Sequence, residues 1–139
     1  MYSVKHFNDF IMKKVVNSAN APAPIGPYNQ SIQAAGLLFI SGQIGINPLS
    51  GDIVTGSIED ETRQVCHNLG EILKVNGLSY EDVVKCSVFV KDMHLFSRIN
   101  AVYSQFFHEE TAPARELVEV SNLPRFVNIE ISAIAVLKN

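Results

Sequence analysis

Two charged residues interrupt stretches that are otherwise apolar and strand-like, and both are of types that do chemistry. Arg115, in "TAPARELVEVSNLPR" (residues 111–125), stands at the start of an apolar run and is fenced by Pro113 and Pro124. A guanidinium held between rigid segments presents a planar fork that matches a carboxylate. Glu130, in "VNIEISAIAV", has apolar strand neighbours. A carboxylate in such a place is costly unless it is paired or used. On residue type alone Arg115 also fits a surface ion pair, so the two residues point to anion recognition beside an acid or base without fixing a reaction.

Other chemistries find less support. His67 follows Cys66 directly on a helical stretch, where adjacent side chains diverge, and His6, His94 and His108 have no partner at ligand spacing. No metal site is expected. The segment "SGQIG" around Gly42 and Gly45 lacks the lysine and hydroxyl of a phosphate loop, and Ser41 has no histidine base in a nucleophile motif. Cys66 and Cys86 fit neither a disulfide framework nor a zinc pattern and read as small, reduced, buried hydrophobes. With a net charge of −3 and no basic cluster longer than Lys13-Lys14, the chain shows no footprint for nucleic acid or anionic lipid. No apolar run approaches a membrane span, so a soluble cytoplasmic protein is expected, with an organelle as the alternative.

These residues must be positioned by one domain, which is what 139 residues without repeats or linkers imply. The first thirteen residues read as an N-terminal extension, and 14–139 as the domain. "NAPAPIGPYNQ" holds the backbone extended through three prolines and delivers Tyr28 on a stiff segment. "SIQAAGLLFISGQIGI" reads as two strands separated near Ala35-Gly36, followed by a turn in "NPLSGDI". Apolar residues at helical spacing predict a helix from Ser57 to Asn76, capped by Ser57 and Asp60 and stopped by Gly77. "VVKCSVFVKD" is a strand, and Asp92 caps a second helix with the stripe Met93, Phe96, Ile99, Tyr103, Phe106 and Phe107. Strands over 116–120 and 128–137 close the chain.

That order describes an α+β sandwich with two helices on one face of a sheet. Yet "LLFI", "SVFV" and "IEISAIAV" are apolar at both alternating sets of positions, the pattern of strands buried on both faces. The face without helices needs another cover, so the chain reads as an obligate oligomer.

The segments "APAPIGPYNQS", "LLFISGQIGINPLSGDIV", "VVKCSVFVKDM", "INAVYSQFF", "TAPARELVEVSNLPR" and "VNIEISAIAV" together resemble the RidA/YjgF family of reactive-intermediate deaminases, also known as L-PSP endoribonucleases. The resemblance runs in order from about residue 14 to residue 137. It implies a chorismate-mutase-like sandwich, a mixed sheet covered by two helices, assembled as a homotrimer around a central barrel with sites between subunits. It implies hydrolysis of 2-iminobutanoate and 2-iminopropanoate, products of pyridoxal-phosphate dehydratases, to 2-oxo acids and ammonia. By the same resemblance Arg115 binds the substrate carboxylate and Glu130 positions the attacking water. Tyr28, Ser41 and Asn100 match family pocket positions, and no cofactor is implied.

One position departs from the pattern: residue 116, commonly small in the family, is Glu116 here. Strand alternation turns it away from Arg115, whereas a direct pair with Arg115 would weaken anion binding. Three other readings stay open at this stage: a ribonuclease or translation inhibitor, a non-catalytic binder of 2-oxo acids, and a chaperone-like trimer.

Overall fold

The chain folds back at Ala35 and Gly36, whose φ values of 52° and 76° are those of a tight hairpin turn matched to strand twist, and just beyond it Leu38 and Ile40 are buried while Phe39 is exposed. In the computed structural model, which describes residues 12–139, this hairpin comprises β2 (Ser31–Ala34) and β3 (Leu37–Gln43). The other strands are β1 (Lys14–Val16), β4 (Val83–Val90), β5 (Ala114–Glu119) and β6 (Ile129–Val136). They form one sheet in the order β1-β2-β3-β6-β4-β5. All neighbours are antiparallel except β4 and β5, which are parallel. The sheet is therefore mixed, as expected. Residues 1–11 of the expected extension lie outside the described residues.

Helix α1 (Ile58–Val75) starts where Ser57 Oγ accepts the Asp60 N–H at 3.1 Å, and three acidic residues in its first turn suit the helix dipole. Its stripe of Val65, Leu69 and Ile72 is wholly buried against the sheet. Helix α2 (Phe96–Phe106) packs beside it, burying Ile99, Val102 and Tyr103. Arg98 forks onto Glu59 with contacts of 2.5 and 2.8 Å, joining the two helices. The main core is this helix layer against one sheet face, including Leu38, Ile40, Cys86, Val88, Ile129 and Ile131.

The structure corrects the sequence reading in four places. Strand β1 was not expected, because three residues are too few for a period to show. Strand β5 begins at Ala114 and not at residue 116, so Arg115 lies inside it. Asp92 caps a short 3-10 turn, Met93–Leu95, through the His94 N–H and not the helix itself. Met93 and Phe96 are consequently exposed, outside the buried stripe of α2.

The second sheet face carries an apolar row across four strands. Val15 faces Ile32, Ile32 faces Phe39, and Phe39 faces Ile134. Val15 and Phe39 are exposed there, and no helix covers them.

Candidate active site

The five residues singled out from the sequence fall into two groups on opposite sides of the sheet. Arg115 pairs in register with Cys86, whose side chain belongs to the helix-covered core. Glu130 pairs with Phe89, three residues further along the same strand. Because successive strand side chains alternate in direction, positions three apart project to opposite faces. Within one protomer Arg115 and Glu130 cannot grip the same small molecule.

The Arg115 half lies in a cleft between the edge strand β5 and α2. Arg115 Nη1 donates to Asn100 Oδ1 at 3.0 Å. The guanidinium carbon sits 4.7 Å from the Tyr103 ring centroid and 5.9 Å from that of Phe96, within cation–π range. Burial raises the Tyr103 hydroxyl above its ordinary pKa, so the ring under the cation stays a neutral phenol. The cleft, about 430 Å³, is also lined by Ser104, Phe107, Glu109 and Pro113. A guanidinium carries five N–H donors in a plane, and Asn100 is the only side-chain partner of Arg115 among the described residues. The rest of the fork remains free for a carboxylate.

Pro113 therefore stands where the sequence reading put it, beside Arg115, but Pro124 does not. Pro124 lines the other cavity. What braces the arginine is Asn100 and the Tyr103 ring, and sequence spacing gave no signal for the latter beyond core packing. Glu116 turns to the opposite face: its carboxylate lies 3.0 Å from Lys85 Nζ and accepts from Ser87 Oγ at 3.1 Å. The hydrogen bond from Lys85 is the main influence holding its pKa below the ordinary value. Arg115 is left unneutralised by its neighbour.

The Glu130 half is a cavity of about 310 Å³ walled by the proline-rich segment, the end of β3 and the start of β6. Tyr28, Ser41 and Glu130 all line it. The proline-rich segment is fastened by Gln30, a buried side chain that accepts the Ser18 N–H at 2.6 Å and donates to the carbonyls of Ser18, Ala21 and Pro22. This residue escaped sequence reasoning, since one polar residue at a strand edge carries no distinctive pattern. Tyr28 closes the segment on itself, its hydroxyl accepting the Ile25 N–H at 3.3 Å. Ser41 Oγ donates to the Asn29 carbonyl at 2.6 Å, tying the same segment to β3.

Glu130 is half-buried, and burial is the sole influence on its carboxylate, with no hydrogen bond to it from a described residue. Burial raises its pKa above the ordinary 4.5, which makes the carboxylate a better proton acceptor once ionised. Gly42 is what admits it: a Cβ built on that residue would lie 2.6 Å from Glu130 Cδ and 2.8 Å from Oε1. The glycine of "SGQ" is thus a steric requirement of the site and not a phosphate loop. Among the described residues no three His, Cys, Asp or Glu side chains cluster as metal ligands, and no helix is long and apolar enough to cross a membrane.

Known proteins share this arrangement of elements. Residues 18–137 match the Endoribonuclease L-PSP family model. A RutC family protein of Pyrococcus horikoshii is 53% identical over 124 residues, 89% of this chain and 98% of that one. The 2-iminobutanoate/2-iminopropanoate deaminase of Mus musculus is 44% identical over 126 residues, 91% of this chain and 93% of that one. The crystal structure of Escherichia coli TdcF with bound serine superposes with a TM-score of 0.84 at 40% identity, covering 90% of this chain and 99% of that one. The chain belongs to the Endoribonuclease L-PSP family, the RidA/YjgF family that its motifs resemble.

Proposed function

We propose that this protein is a 2-iminobutanoate/2-iminopropanoate deaminase, hydrolysing reactive imines to 2-oxo acids and ammonia. The observation that carries the reading is a pair of half-sites with complementary capacities. One offers a guanidinium with free donors, and the other a half-buried carboxylate with no protein partner. Similarity to the mouse deaminase over nearly the whole chain supports it.

The chemistry asks for little beyond these groups. The imine carbon is already electrophilic, so the site need only hold the substrate carboxylate and place a water. Arg115 takes the carboxylate through its fork, oriented by Asn100 and Tyr103. Glu130 accepts a proton as water oxygen bonds to the imine carbon, and the imine nitrogen gains a proton. The tetrahedral intermediate then breaks its C–N bond, releasing ammonia as the carbonyl forms. Tyr28 and Ser41 wall the site beside Glu130. No group of the substrate requires a metal or organic cofactor for these steps.

Because the half-sites face opposite sides of one sheet, a complete site joins Arg115 of one subunit to Glu130 of another. A closed homotrimer that turns its second sheet faces to a central barrel would provide three such sites. The apolar row of Val15, Ile32, Phe39 and Ile134 supports that packing, since an uncovered apolar sheet face marks an interface. The partners are then small 2-imino and 2-oxo carboxylates and further copies of this chain.

The test is 2-oxobutanoate release from 2-iminobutanoate generated in place by a threonine dehydratase, measured above the rate in buffer. Acceleration by the native protein that disappears in folded Arg115→Ala is expected. No acceleration by the native protein on any imine would overturn the reading in favour of a carboxylate binder.

A further inference from the structure

We infer that Glu61 is a positioning residue for Glu130, fixing from helix α1 the point at which β6 starts and so the direction in which the Glu130 carboxylate leaves the sheet. The inference rests on the deaminase reading and adds to it a residue that lines neither half-site.

Glu61 lies in the first turn of α1 and is almost wholly buried, 2% exposed. Its Oε1 accepts the Asn128 N–H at 3.0 Å. Asn128 stands immediately before β6 and two residues before Glu130. The chain arrives there through Arg125 and Phe126, both in the left-handed region with φ of 54° and 58°. Residues in that region persist where the surrounding structure over-determines them. Two bonds hold the chain at Asn128. Its carbonyl accepts the Lys91 N–H at 3.1 Å, which ties it to the end of β4, and its N–H is tied by Glu61 to the helix layer.

The surroundings of Glu61 are shaped for this reach. A Cβ built on Gly45 would lie 2.9 Å from Glu61 Cγ, so the side chain crosses to Asn128 over a residue that has none. Gly45 sits between Ile44 and Ile46, which line the Glu130 cavity. The exit of β3 thus clears two carboxylates, Gly42 for Glu130 and Gly45 for the residue that positions it. Glu61 Oε2 is buried and finds no partner among the described residues, which costs stability. A leucine would fill the space without that cost and leave the Asn128 N–H unmet, so a tether explains the carboxyl better than packing does.

The two half-sites divide the work. In the proposed site Arg115 holds the substrate carboxylate from another subunit, so binding does not pass through β6. Glu130 places the water, so its aim does. A misplacement of about 1 Å costs on the order of a hundredfold in rate.

The experiment measures kcat and KM on 2-iminobutanoate generated in place by a threonine dehydratase, for native protein, Glu61→Ala, Glu61→Gln and Asn76→Ala. Glu61→Ala should lower kcat by roughly tenfold to a hundredfold with KM close to native. Glu61→Gln should restore most of that loss, because an amide oxygen still accepts the Asn128 N–H. Asn76→Ala is the comparator for general destabilisation, since Asn76 caps the far end of α1 and bonds to Gln33, Ser31 and Ile72 away from the cavity; it should leave kcat intact. Should Glu61→Ala fail to fold, Gly45→Ala pushes the carboxyl off Asn128 through Cγ and should lower kcat in the same way. An unchanged kcat in folded Glu61→Ala, or in Gly45→Ala where that is the variant that folds, overturns the inference while leaving the deaminase reading standing. So does a loss in Glu61→Gln as deep as in Glu61→Ala, or a loss carried by KM in place of kcat. Native protein inactive on every imine overturns both.

Discussion

Arg115 and Glu130 project from opposite faces of one sheet, Arg115 in register with Cys86 and Glu130 in register with Phe89 on the same strand β4. No rotamer can bring the guanidinium round to the carboxylate through a packed sheet. A site that uses both residues, as in the proposed function, would therefore have to draw them from different chains.

The anchor has a definite magnitude. Hydrogen bonds to a charged group contribute roughly 1.5 to 3 kcal/mol, so Arg115→Ala should lower kcat/KM on the order of a hundredfold. Arg115→Lys should also fail, because an ammonium cannot reproduce the fork. Asn100→Ala removes one neutral acceptor that aims the guanidinium and should raise KM by roughly tenfold or less. Steady-state kinetics on 2-iminobutanoate checks all three, with circular dichroism to confirm folding.

Gly42→Ala should preserve the fold and damage the chemistry. The added methyl would fall 2.6 Å from Glu130 Cδ, and the cheapest relief is for the flexible carboxylate to swing out of its place. The expected result is a large fall in kcat with a thermal midpoint within a few degrees of native. Full activity in this variant would show that Glu130 does not work from the position described.

Glu130 should trade stability for function in a pH-dependent way. Burial raises its pKa above 4.5, so the folded state binds the proton more tightly than the unfolded state does. The stability this confers is fully present below the unfolded pKa and is lost as pH rises through the folded one. At neutral pH Glu130→Gln should therefore be more thermostable than native and inactive, and its advantage should vanish as pH falls below the ordinary carboxylate range. In the native protein kcat should decline on the acid side at a pH above 4.5. Thermal melts and pH–rate profiles of the two proteins test this.

Phe126 should be replaceable at a gain. Arg125 and Phe126 both have positive φ, 54° and 58°, and Phe126 is 76% exposed. A bulky residue in the left-handed region costs about 1 kcal/mol or more. Phe126→Asn should raise the melting temperature by a few degrees, since asparagine tolerates that conformation; an unchanged or lower value would show that the ring is held by contacts that outweigh the strain.

Much of the fold was legible because its elements are long enough to show a period. The helix from Ser57 announced both ends, and the hairpin at Ala35-Gly36 announced its turn. The three-residue β1 had no period to display, and β5 began early because Pro113 stops the preceding segment sooner than the apolar run suggested. The site was legible as residue types but not as geometry. Arg115 and Glu130 stood out as charges in apolar company, yet their opposite facing depends on the register of β4 with both neighbours, which no single strand encodes. Pro124 is near Arg115 in sequence, but strand β5 and the turn after it carry it to the other cavity. The steric role of Gly42 and the fastening role of Gln30 were not legible, because each depends on what packs against the residue.

The most direct test of the central claim mixes two inactive variants. Arg115→Ala and Glu130→Gln, each purified as a folded oligomer, would be unfolded together at equal concentration and refolded. In a closed oligomer with sites shared between neighbours, about a quarter of the sites should then receive both native residues, and activity on 2-iminobutanoate should return to about that fraction of native. Refolding each variant alone should restore none. A mixture that forms mixed oligomers yet stays inactive beside an active native control would contradict the account, showing that Arg115 and Glu130 do not meet across subunits.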